Sequence, residues 1–298
     1  MSAADIVGVP VPWEVLVRAL GRHEKVRIQT LIEPMVRHQA QIDRTDELSV
    51  AVVDVETTGL DWQTDRIIEL AIQKVFIDAH GRIVATGRPE GWFEDPGFPI
   101  PLHIQEKTHI TDRMVKGKLI LEGPATSMLL TADVILSHNA GFDRPFLEKR
   151  LDIAGRPWIC SLRDLDWNAH GFERHGLEDL LRKCGKFFNS AHRATADVNA
   201  LLHLLDHRLD NGRTVLKELL TNAAKPTWLV EARGAPYGSR KLLKERRYVW
   251  DPEQKLWWRH IPEEGLEAER AWLSDWVYDG KREPVVRHVT WRERYAAS

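Results

Sequence analysis

Asp54 and Glu56 lie in the run Val52-Val53-Asp54-Val55-Glu56-Thr57-Thr58-Gly59-Leu60, two acids one residue apart at the end of a β-branched apolar stretch. In a strand the two point to one side, because side chains alternate faces. A sheet interior resists adjacent carboxylates: they repel and lose hydration, so one turns neutral unless a cation sits between them. For the pair alone two readings stay open. One is a strand that frays into solvent with two ordinary acids. The other is a divalent-cation site, whose hard oxygen donors suit magnesium or manganese.

Two later segments add to the pair. Ser137-His138-Asn139-Ala140-Gly141-Phe142-Asp143 follows the apolar run Val134-Ile135-Leu136, which reads as a buried strand, and leads into a helix packed through Phe142, Phe146 and Leu147. Asn139 suits the cap of that helix, and Asp143 falls in its first turn, where exposed N–H groups favour negative charge. His192 precedes a leucine-spaced helix over residues 193–208. Asp197 shares a face with Ala194 and Leu201, an apolar setting in which an acid needs a reason. Each of these residues alone reads more often as a local hydrogen-bonder or capping group.

Together the segments resemble the DEDDh exonuclease superfamily, with its DNA polymerase III epsilon-like and RNase T-like members. The ordered motifs are Asp54 and Glu56; then Asn139, Phe142 and Asp143; then His192 and Asp197, over about residues 48–208. Four acids on one cleft suit two hard cations about 3.5–4 Å apart, and a histidine titrates near working pH. The resemblance implies that Asp54, Glu56, Asp143 and Asp197 hold two Mg²⁺ or Mn²⁺ ions and that His192 is the general base. It also implies that Thr57, Gly59, Leu60, Asn139 and Phe142 bind the substrate end, with Leu60 wedged against the last base. The implied activity is 3′–5′ hydrolysis of terminal phosphodiester bonds, releasing nucleoside 5′-monophosphates. Single-stranded or frayed DNA is the favoured substrate. Alternatives are an RNA-trimming, oligoribonuclease-like enzyme and a non-catalytic module that binds nucleic-acid ends or a replication partner. A DNA replication or repair partner is a further expectation. His109-Ile110-Thr111 puts histidine where the family usually has glycine, which bears on the local backbone shape.

Composition sets bounds around this reading. An apolar share of 43% and a charged share of 29% over 298 residues describe an ordinary globular chain. No apolar run approaches the roughly 18 residues that span a bilayer, so no membrane role is expected. Cys160 and Cys184 match neither a disulfide framework nor a zinc spacing, and the expected home is the cytoplasm. His203 and His207 sit one turn apart with no third ligand in view, and read as a solvated helix face.

The expected fold is α/β, a ribonuclease H-like exonuclease fold with a mixed central sheet flanked by helices. Residues 48–210 form that domain, with strands near 49–55, 66–77, 82–93 and 158–160 and a helix near 177–184. Residues 1–47 read as a helical extension, with Trp13, Val15, Leu16 and Leu20 near helical spacing. Residues 211–298 read as a basic, Trp-rich α+β module holding seven of the 12 tryptophans. It is expected to comprise a basic helix, two strands about an Asp251-Pro252 turn, and a helix near 263–277. Its tryptophans fill a small core or stack bases, with the core reading preferred.

Overall fold

The computed structural model describes residues 29–37, 48–187 and 192–296. The expected ribonuclease H-like architecture is present: a six-stranded mixed sheet with helices on both faces. Its central strand β2 (Leu48–Thr57) pairs antiparallel with β3 (Ile67–Ile77) and parallel with β6 (Val134–Ser137), which pairs parallel with β7 (Trp158–Cys160). Beyond β3 lie β4 (Ile83–Thr86) and β5 (Glu90–Phe93), both antiparallel to it. These replace the single strand expected near 82–93. Gly87 and Pro89 break the run, Gly87 turning its N–H to the Lys74 carbonyl at 2.7 Å.

The continuous apolar run of β2 follows from burial on both faces. Val50 and Val52 join one core cluster with Ala71, Val75, Val134 and Leu136. Ala51, Val53 and Val55 join the other with Leu70, Ile72, Ile135 and Trp158. Covering the first face are α5 (Leu177–Lys183), α6 (Ala194–Leu205) and α7 (Val215–Ala223). Covering the second are α3 (Glu122–Leu130) and α4 (Ala140–Arg150). Two shorter helices, α1 (Leu102–Thr108) and α2 (Asp112–Val115), lie beside the β3 edge, where Ile68, Ile100, Ile110 and Val115 form a satellite cluster.

Residues 29–37 are not helical: two of them form a strand and residues 32–37 have no regular structure. Their strand β1 (Thr30–Leu31) pairs parallel with β8 (Lys186–Phe187). Trp13, Val15, Leu16 and Leu20 lie outside the described residues.

From Thr227 onward the chain builds a separate antiparallel sheet in the order β10-β11-β9-β12. These strands are β9 (Thr227–Ala232), β10 (Val249–Asp251), β11 (Leu256–Pro262) and β12 (Val285–Val289). The basic helix α8 (Arg240–Glu245), the two strands about the Asp251-Pro252 turn, and α9 (Leu266–Trp276) match the sequence reading. Strands β9 and β12 are additional.

The last described residues return to the first sheet as a strap. Trp158 N–H donates to the Trp291 carbonyl at 2.9 Å, along the outer edge of β7. The buried Arg144 guanidinium of α4 donates to the carbonyls of Arg292 and Arg294 at 2.7 and 2.6 Å. Arg294 reaches Asp164 at 3.0 Å, and the Tyr295 hydroxyl donates to the same carboxylate at 2.7 Å. Edge N–H groups that would otherwise stand open are thereby covered.

His109, in the position the resemblance marks for glycine, takes up the left-handed backbone that glycine adopts freely, with φ 57°. It closes α1 by donating its N–H to the Gln105 carbonyl at 2.8 Å. A side chain there costs about 1–2 kcal/mol of strain. His109→Gly is therefore expected to raise stability by about 1 kcal/mol, read as a higher urea midpoint at unchanged slope.

Candidate active site

Strand alternation puts Asp54 and Glu56 on the face packed by α6, in line with Val50 and Val52. Pairing of β2 with β3 shifts register between Glu56 and Thr57, so the ladder loosens just past the second acid. On the other side, the described pairing of β2 with β6 ends at Val52–Leu136. Further along, the Val55 N–H is taken by Asp143 from α4, whose Oδ1 accepts it at 3.2 Å. Asp143 thus stands between the backbones of the two first-motif acids. It is buried, and its Oδ2 has no hydrogen-bond partner.

Asp197 comes from the first turn of α6. Its Oδ2 accepts the backbone N–H of His192 at 3.0 Å, which pins the residue just ahead of the helix. His192 itself has φ 66°. One ligand atom from each of Glu56, His192 and Asp197 lies within 4.8 Å of the others. Asp54 sits among the carboxylates: burial raises its pKa well above the carboxylate range, and the charges of Asp143, Asp197, Glu56 and Glu69 push it further. Burial leads again for Glu56, pushed up to about 8 with help from Asp197 and against Lys107. Asp143 and Asp197 are each pushed up to about 7, mainly by burial. The His192 imidazole moves down, through burial first and the Lys107 charge second, so it is neutral at physiological pH.

The five residues of the acid and histidine set are therefore brought to one end of the sheet. Among the described residues, none of the four carboxylates is in an ion pair with lysine or arginine. A cluster of half-buried carboxylates with an unpartnered buried oxygen and no internal cation fits a divalent metal and its oxygen-ligand chemistry.

The other expected residues are less uniform. Thr57 and Thr58 are buried, and their hydroxyls donate to the Gly59 carbonyl at 2.5 Å and to Asp65 at 2.9 Å. A Cβ on Gly59 would stand 2.4 Å from the Asp65 carboxylate, so glycine lets the loop close on itself. Leu60, at the loop tip, is 84% exposed. Phe142 is half-buried, 5.1 Å from the Phe146 ring. Asn139 occupies the cap position of α4 but makes no side-chain capping bond; it serves through its left-handed backbone, φ 76°, which asparagine tolerates.

Sequence reasoning missed Glu69, Arg193 and Lys107. Glu69 stands opposite Glu56 in the β2–β3 register and is buried. Like charges so placed destabilise a sheet. Arg193 answers with a bidentate pair at 3.0 and 3.1 Å, and the Ala194 N–H adds a bond at 3.0 Å. The pair fastens the start of α6, between His192 and Asp197, to β3. A lone acid in Ile67-Ile68-Glu69-Leu70 was the available signal.

A family model described as exonuclease, RNase_T, matches residues 51–205. Among curated proteins, the PolC-type DNA polymerase III of Streptococcus suis is 31% identical over 179 residues, 58% of this chain and 12% of that protein. The PolC-type enzyme of Halalkalibacterium halodurans is 36% identical over 179 residues, with the same coverage. The chain thus spans about an eighth of the length of these relatives. In fold it is similar to E. coli Exonuclease I in complex with an oligonucleotide: TM-score 0.50, 18% identity, 82% of this chain and 63% of that one.

Raised carboxylates fix a sign for stability. Unfolded, these groups lose their protons near pH 4; folded, they keep them until about pH 7–8. Their stabilising protonation is complete below the unfolded values and is lost as pH rises through the folded ones. Thermal unfolding in chelator is expected to show a midpoint falling between about pH 5 and pH 8, with Asp54→Asn flattening that fall. Glu69→Gln leaves Arg193 with a neutral partner. Its expected signature is a destabilisation of about 1.5–3 kcal/mol, accompanied by weaker metal-induced stabilisation; intact metal response would leave the pair a purely structural tie.

Proposed function

The chain belongs to the exonuclease family whose model spans residues 51–205, and from that premise we propose that it is a metal-dependent 3′–5′ exonuclease acting on single-stranded or frayed DNA ends. The observation that carries this is the gathering of Asp54, Glu56, Asp143 and Asp197 at one strand end, each raised chiefly by burial and none in an ion pair with lysine or arginine among the described residues. Binding modules have no use for such a costly arrangement.

Asp54, Glu56, Asp143 and Asp197 would hold two divalent ions, Mg²⁺ or Mn²⁺. When bound, such ions supply positive charge to the scissile phosphate and ease deprotonation of water. His192, neutral and next to Glu56 and Asp197, takes the proton from the attacking water. Water oxygen bonds to phosphorus, the bond from phosphorus to the upstream 3′ oxygen breaks, and a nucleoside 5′-monophosphate leaves. Leu60, exposed at its loop tip, presses on the terminal base, and the backbone at Thr57 and Gly59 meets the terminal sugar. Phe142 and Asn139 line the opposite wall. A path for one strand past a single apolar wedge suits unpaired termini, and a PolC-type replication setting is the proposed context.

End-labelled single-stranded DNA, duplex DNA and RNA, with and without Mg²⁺ or Mn²⁺, test the reading. Release of 5′-mononucleotides from the 3′ end only with metal is expected. His192→Ala is expected to slow release by about 10²–10⁴-fold, and Asp54→Ala at least as much. Wild-type rates in either variant, or oligonucleotide products, would overturn it.

A further inference from the structure

The tryptophans of the C-terminal module are not all taken up by its core: Trp276, on α9, is 65% exposed, and Trp258 is half-buried outside the core cluster. Trp228, Trp257 and Trp272 pack against that core, with Val230, Leu243, Ile261 and Leu273. Trp250 does not. It lies on the edge strand β10, paired in register with Trp257, its ring 5.4 Å from the Trp257 ring and tilted by 54°. Trp250 remains 44% exposed and Tyr237 78% exposed. Core packing accounts for Trp228, Trp257 and Trp272, whereas Trp250 leans on Trp257 from outside and Tyr237 is held by Arg240, each with much of its ring open to solvent.

Charge is distributed in the same way. Arg246 and Arg259 are drawn to the buried Glu269 at 2.9 and 3.6 Å, and Arg233 pairs with Glu231 at 2.5 Å. Lys244 and Arg247, between Tyr237 and Trp250 in the chain, are exposed and carry no ion pair among the described residues. The Arg240 guanidinium lies 4.5 Å from the centre of the Tyr237 ring. Exposed rings interleaved with unspent cations give stacking surface and phosphate attraction together.

Position completes the case. The turn that joins β10 to β11 touches the loop behind Leu60: Glu253 Oε1 accepts from Gln63 Nε2 at 2.6 Å. Trp250 lies three residues before Glu253, and Leu60 three residues before Gln63. At about 3.3 Å per extended residue, with two long side chains and their bond between, the backbones at Trp250 and Leu60 are at most about 30–35 Å apart along this route.

We propose that Trp250, with Lys244, Arg247 and the Tyr237–Arg240 stack, is a second nucleic-acid site that holds a single strand upstream of its 3′ end. The inference rests on the exonuclease reading of the acid cluster and gives that enzyme a preference for strands long enough to reach the module.

The test uses full-length protein in an Asp54→Asn background and fluorescence anisotropy with labelled oligothymidylates of about four and about 16 nucleotides. Trp250→Ala is expected to weaken the longer strand about tenfold, equivalent to about 1.4 kcal/mol, and the shorter strand far less. Trp250→Phe should restore most of the loss, which separates stacking from misfolding. Lys244→Glu with Arg247→Glu should flatten the dependence of log affinity on log salt by about 0.7 per cation removed. Equal weakening of both lengths, or no change in either, overturns the proposal. In parallel, wild-type protein is assayed for Mg²⁺-driven mononucleotide release. Failure there with length-dependent binding intact would sink the reading of the acid cluster and leave the second site standing.

Discussion

Negative charge concentrated at the end of a sheet has to be balanced by something, and this chain balances it in two different ways. Glu69 is neutralised from within, by the Arg193 fork and the Ala194 N–H. Asp54, Glu56, Asp143 and Asp197 receive no such partner, although Arg193 lies only one residue from His192. The contrast explains the surrounding architecture. Helix α6 must begin at this end of the sheet to bring Asp197, and β6 must stop early enough for α4 to insert Asp143 beside β2. Two helices on opposite faces thus meet over one strand end. Packing of both faces supplies the stability from which the unbalanced cluster subtracts.

Much of this was legible because the signals were local. The β-branched run before Asp54 announced a buried strand, and period-two alternation put Glu56 beside it. Leucine spacing announced α6, and the apolar strand before Asn139 announced α4. What escaped was non-local or diluted. The role of Glu69 depends on a hairpin register that pairs it with Glu56, and no spacing rule reveals that. Strands β9 and β12, Thr-Trp-Leu-Val-Glu-Ala and Val-Val-Arg-His-Val, mix charge with apolar residues as half-exposed strands do, so neither stood out. Residues 29–37 read as helical by neighbourhood, yet Thr30–Leu31 pair with β8 and the N–H groups of Met35 and Arg37 go to side chains of Asn199 and Thr86. From sequence, Asn139 suits a side-chain cap, the usual role of asparagine ahead of a helix. The structure uses its tolerance of left-handed backbone instead.

The two sheets of the molecule follow different rules. The first is buried on both faces and places its functional groups at a strand end, where pairing lapses. The second is small: its buried core is chiefly aliphatic, with Val230, Leu243, Ile261, Leu273 and Val277 beside Tyr248 and Tyr278, and tryptophans and Arg–Glu contacts close it from outside. A side chain bond at Gln63 and a strap of backbone at β7 hold the two together. The strap is the firmer link, since Arg144, Asp164 and Arg294 are all buried in it.

That strap has a consequence for timing. Arg144 follows Asp143 directly on α4, and its partners lie 148 and 150 residues further along the chain. As a ribosome extends the polypeptide from its N-terminus, the nuclease half emerges with Arg144 and Asp164 still lacking those partners. Contacts so far apart in sequence close slowly, and until then the guanidinium has Glu148, one turn along its own helix, as its acceptor at 2.8 Å. The helix that carries Asp143 is thus tied to a segment 148 and 150 residues further along, so one wall of the acid cluster leans on a contact made outside residues 51–205.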